Sequence, residues 1–90
     1  MQLTVAVAWM RKEDWPAWQS IDADLPAYDN WLRKIELLVK EIEKRGQIPE
    51  KVTVDPDEFV MWCRANGRQV ERNARAQFAA ELLTRKRRNH

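Results

Sequence analysis

Cysteine is nearly missing from this chain of 90 residues: Cys63 stands alone and closes no internal disulfide. No charged, apolar, small-residue leader precedes the domain, so a secreted disulfide scaffold is not expected and a reducing cytoplasm is. Histidine occurs once, as the terminal His90, which leaves no cluster of soft ligands for zinc. Asp22 and Asp24 have the opening spacing of a calcium loop, but Ala27 stands where that loop needs glycine and Arg33 where it needs the final glutamate. There are 2 glycines, Gly46 and Gly67, and both fall where helices end. None is left for a phosphate-cradling loop or a dinucleotide fingerprint. The longest apolar run, Val5 to Met10, is far short of the ~20 residues a membrane helix needs. A soluble chain with no metal, no cofactor and no membrane partner is expected.

What the chain does have is tryptophan, at 5 positions: Trp9, Trp15, Trp18, Trp31 and Trp62. A domain this short buries only a little over ~60% of its unfolded surface. Large aromatics, each able to bury roughly 150 to 250 Å², are therefore an efficient way to build its core. Their spread over nearly every predicted element suits one common core. The competing reading is an aromatic surface for a partner or for bases. It needs two rings turned outward, and Trp15 and Trp18, in the shortest predicted helix, are the candidates.

The pattern predicts a strand over Leu3 to Trp9, where the β-branched Thr4, Val5 and Val7 sit in a short run bounded by the charged cluster Arg11 to Asp14. A short helix follows over Glu13 to Ile21, with acids in its first turn and Pro16 early enough to be tolerated. Tyr28, Trp31, Leu32, Ile35, Leu38, Val39 and Ile42 form one stripe at spacings of three and four, which predicts a long helix from Ala27 to Arg45. Glu36 with Lys40 and Glu41 with Arg45 are expected i,i+4 pairs, each contributing about 0.3 to 0.5 kcal/mol.

A second strand over Lys51 to Val54 runs into the best-specified segment of the chain. Asp55 is positioned to cap a helix, Pro56 suits its first position, Glu58 completes a capping box and Gly67 closes it. A last helix from Glu71 to Arg87 places Ala74, Phe78 and Leu82 on one face. The expected fold is α+β, one domain over residues 1–90 in the order β-α-α-β-α-α, with 85–90 as a frayed basic tail. The two strands should pair with each other across the first two helices. The pattern leaves their direction open.

Taken in order, Glu13-Asp14-Trp15-Pro16, then Tyr28-Asp29-x-Trp31-Leu32, then Val54-Asp55-Pro56-Asp57-Glu58-Phe59 with Trp62-Cys63 and Gly67, then Ala74-Arg75-Ala76 with Phe78, resemble a group of small uncharacterised bacterial proteins. The resemblance implies a compact cytoplasmic bacterial domain. Its motifs are cap, core and turn residues, so it implies no active site.

Catalytic chemistry finds little support. Cys63 beside Trp62 and one turn from Phe59 reads as core, and Asp55, Asp57 and Glu58 are accounted for by capping and by the helix dipole. Charge is more suggestive. Residues 1–63 carry 8 basic and 12 acidic side chains, whereas residues 64–90 carry 8 basic and 2 acidic. Arg64, Arg68, Arg72 and Arg75, followed by Arg85, Lys86, Arg87 and Arg88, can set positive potential along the last helix and attract phosphate backbones. They can equally complement the helix dipole and the acidic half. The expectation is a non-catalytic protein-interaction module, self-association being favoured by exposed sheet edges and the opposite charge of the two halves. Nucleic-acid binding is the alternative, and an enzyme a distant third.

Overall fold

Short stretches of sequence account for most of the secondary structure. The computed structural model describes residues 3–88, with Arg88 described by its backbone alone. β1 spans Thr4–Trp9 and is followed by a 3-10 turn, Lys12–Asp14, that leads directly into α1, Trp15–Ile21. The turn occupies the start of the predicted first helix because Pro16 has no N–H to donate to the turn before it. α2 spans Tyr28–Lys44, β2 Ile48–Thr53, α3 Pro56–Asn66 and α4 Arg72–Arg88.

α2 ends in a full Schellman motif. Gly46, at φ 76°, donates to the Glu43 carbonyl at 2.9 Å, and the Gln47 N–H reaches the Ile42 carbonyl at 3.1 Å. The expected i,i+4 pairs on this helix do not close among the described residues; Lys44 instead approaches Glu41 at 3.9 Å. The start of α3 follows the capping expectation in part. The Asp55 carboxylate accepts from the Glu58 N–H at 3.0 Å, but no bond returns from the Glu58 side chain among the described residues. α4 includes the start of the basic run and is helical through Arg88. Residues 89 and 90 lie outside the described ones.

The strands pair in parallel, with Thr4 opposite Ile48 and Trp9 opposite Thr53. Parallel pairing requires a long connection, which α1 and α2 supply. The Ile48 N–H donates to the Leu3 carbonyl at 2.9 Å and the Val54 N–H to the Trp9 carbonyl at 3.0 Å. Val5, Val7 and Trp9 therefore turn their backbone groups toward β2, while Thr4, Ala6 and Ala8 turn theirs away. On β2 the outward residues are Pro49, Lys51 and Thr53. This explains why β2 begins three residues before its expected start: Pro49 belongs to the strand because its missing N–H falls on the unpaired side.

The tryptophans meet in the interior as two adjoining aromatic groups. In the first, Trp31 lies 5.5 Å from Trp9 and 5.4 Å from Trp15, which also meets Tyr28 at 5.3 Å. In the second, Phe59 lies 5.6 Å from Trp18 and 5.8 Å from Phe78, and Trp62 sits 5.4 Å from Phe78. Ring pairs at these separations contribute about 0.5 to 1.5 kcal/mol beyond their buried area. Five separate segments are tied into one core by these contacts.

Candidate functional site: a cleft on the open strand edge

A cleft of about 460 Å³ opens between α2 and α4. Ala6, Val7 and Ala8 all line it. Consecutive strand residues present opposite faces, so the cleft must meet β1 along its edge rather than on a face. That edge is the one turned away from β2. Among the described residues, no group bonds the outward N–H and C=O of Ala6 and Ala8.

The α2 wall carries Trp31, Ile35 and Leu38 with Lys34, and the α4 wall Arg72, Arg75 and Ala76. The loop after α1 lines the same cleft. Within it, Asp22 accepts from Arg75 Nη1 at 2.8 Å across 53 positions of sequence. Both side chains are close to fully buried, 9% and 12% exposed, so each neutralises a charge that would otherwise be desolvated alone. On the same loop Pro26 gives its carbonyl to the Trp15 indole N–H at 3.1 Å. Lys34 and Arg72 pair with no carboxylate among the described residues, which leaves one free cation on each wall.

The structure corrects two expectations about binding residues. Trp15 and Trp18 are not an exposed aromatic surface: they are 6% and 0% exposed. The 3-10 turn and α1 roll both rings inward, where they join the aromatic groups. Among the described residues the Trp18 indole N–H finds no acceptor, a departure from the rule that buried polar groups are bonded. Arg75 is likewise removed from any phosphate-binding face by its burial against Asp22.

The other basic residues divide into two ends. Arg68 is bonded to Gln77 and lies 3.9 Å from Glu71, with exposed Arg64 and Arg72 nearby in sequence. Arg85 lies 3.9 Å from Glu81, beside exposed Lys86 and Arg87; Arg88 is helical. Between Arg72 and Arg85, a span of about 20 Å along the helix, the outward positions are Asn73, Ala76, Gln77, Ala80 and Thr84. α4 therefore carries no continuous positive stripe.

Sequence reasoning missed Lys34 and the Ala6 and Ala8 edge. Lys34 reads as one more solvated helix charge. Alanines at Ala6 and Ala8, alternating with Val5, Val7 and Trp9, are a visible signal, but only the pairing partner decides which edge they leave open. Cys63 is buried as expected, and burial raises its thiol pKa with a smaller opposing effect of Arg68. That is the opposite of an activated nucleophile. No group of three His, Cys, Asp or Glu side chains gathers to hold a metal ion among the described residues. No helix among them is long and apolar enough to cross a membrane.

The fold and cleft define a small α+β domain with a parallel strand pair and an open edge recessed between two helices. The chain matches no family model, no curated protein and no solved structure.

Proposed function

We propose that this chain is a non-catalytic binding domain whose partner is a protein. The observation that carries this reading is the cleft, where apolar side chains, unbonded strand-edge groups and two unpaired cations converge. Such a combination suits recognition, with apolar area for affinity and a few polar groups for orientation. A cytoplasmic setting agrees with the single buried thiol, which no disulfide occupies. Affinity capture on the immobilised chain at low salt, scoring protein and nucleic acid together, tests the proposal. A stoichiometric protein partner supports it; nucleic acid alone overturns it.

Nucleic-acid binding is the second reading, supported by exposed Arg64, Arg72, Lys86 and Arg87. It is weakened by the acidic or amide partners of Arg68, Arg75 and Arg85. Gel shifts against mixed DNA and RNA separate the two readings. Light scattering after size-exclusion chromatography tests self-association, and a monomer at high concentration and low salt removes it.

A further inference from the structure

We infer that the cleft takes an extended peptide segment as a third strand on β1, with an acidic side chain of that segment held between Lys34 and Arg72. This deepens the protein-binding reading and rests on it. Ala6 and Ala8 offer two N–H donors and two C=O acceptors on one side of the strand, and nothing among the described residues uses them. Their side chains are the smallest that keep a Cβ, so they leave the backbone approachable. An added strand meets these groups every second residue, and main-chain bonds of this kind give affinity without fixing sequence.

The walls supply the selectivity. Successive side chains of an added strand point to opposite faces. One set therefore meets Trp31, Ile35 and Leu38 on α2, and the other meets Val70 and Ala76 beside α4. Both sets meet apolar surface flanked by one free cation, which calls for small apolar residues and a carboxylate. The charges of the cleft point the same way. Asp22 is committed to Arg75 and Glu71 lies 3.9 Å from Arg68, while Lys34 and Arg72 pair with no carboxylate among the described residues. A bare extended segment carries no α2 and α4 walls of its own, as a second folded copy of this chain does.

The test begins with a display library of short linear peptides panned at low salt on the full chain, with selected sequences then synthesised. The selected peptides are expected to carry an acidic residue. Methylating the backbone nitrogens of one alternate set should weaken binding at least about tenfold, while methylating the intervening set should not. Lys34→Glu combined with Arg72→Glu, both at exposed positions, should weaken binding by a similar factor and reduce its dependence on salt. Ala8→Pro removes one outward N–H without touching the bonds to β2, and should abolish binding if circular dichroism shows it folded. If that variant does not fold, the methylation and charge-reversal results decide alone.

Failure to select any peptide that binds more tightly than about 1 mM overturns the inference. So does binding that is indifferent to which alternate set is methylated, or to the charge reversal. A captured protein partner that binds the Lys34→Glu, Arg72→Glu chain as well as the wild type overturns the groove inference while leaving the binding-domain reading intact. Absence of any captured partner overturns that reading instead.

Discussion

Along the outer edge of β2 stand Pro49, which has no N–H to offer, and Lys51, whose ammonium lies 4.2 Å over the Trp9 ring. Along the outer edge of β1 stand Ala6 and Ala8, with their backbone groups free and a cleft in front of them. The two strands are equal in length and share one ladder, and their unpaired sides carry different residues. Proline and lysine are the common means of blunting an edge against unwanted pairing. β2 has both and β1 has neither. An edge left unprotected in one place, beside one protected in the other, is the pattern expected where one edge is kept available.

The largest test of this contrast removes what holds the cleft of β1 in shape. Asp22→Ala leaves Arg75 buried without its partner, and should cost about 3 to 5 kcal/mol in denaturant unfolding. Adding Arg75→Met should recover most of that loss, because an apolar side chain carries no charge to desolvate. Recovery of stability without recovery of peptide binding would sharpen the view that the ion pair shapes the α4 wall. If Asp22→Ala changes nothing, the wall is held by other contacts.

Hydrogen exchange compares the two sides of β1 directly. The amides of Ala6 and Ala8 should exchange at least about a hundredfold faster than those of Val5 and Val7, which donate to β2. Equal protection would mean that the outer edge is covered and would break the comparison.

Asp55→Ala acts on the other side, at the exit from β2. Loss of the bond to the Glu58 N–H should cost about 0.5 to 2 kcal/mol by thermal or urea unfolding. Peptide affinity at the β1 edge should stay unchanged in the folded variant. A loss of affinity would make the two edges dependent on each other.

The smallest effect concerns Cys63, which does not line the cleft. Burial raises its thiol pKa above that of the unfolded chain. Its contribution to stability is thus complete below the unfolded thiol value, roughly pH 8.5, and is lost as pH rises through the folded value. Stability measured from neutral pH upward should fall more steeply in the wild type than in Cys63→Ala. Peptide affinity should be the same for both chains at neutral pH.

Local signals in the sequence were enough for the elements whose causes are local. Asp55, Pro56 and Gly67 bound α3 where the sequence places it, and the helix expected from Ala27 to Arg45 matches α2 within a residue at each end. The beginning of β2 was harder to read because proline is a local argument against a strand. Only the side of the ladder on which Pro49 falls removes that argument. Arg75 is the same kind of case. Its sequence neighbours Arg72 and Ala76 are exposed, and nothing within a helical turn signals that Asp22 will neutralise it.

The sequence by itself thus determined the number, order and kind of elements, the caps that end the helices, and the use of tryptophan as core. Capping, periodicity and turn chemistry act over a few residues and can be read there. Only the tertiary structure decided that the strands run parallel, that Trp15 and Trp18 face inward, and that Asp22 holds Arg75. It also decided that the edge bearing Ala6 and Ala8 opens into a cleft flanked by Lys34 and Arg72. Each of these depends on which distant segments share an interface, and that is set by how the whole chain buries its apolar surface.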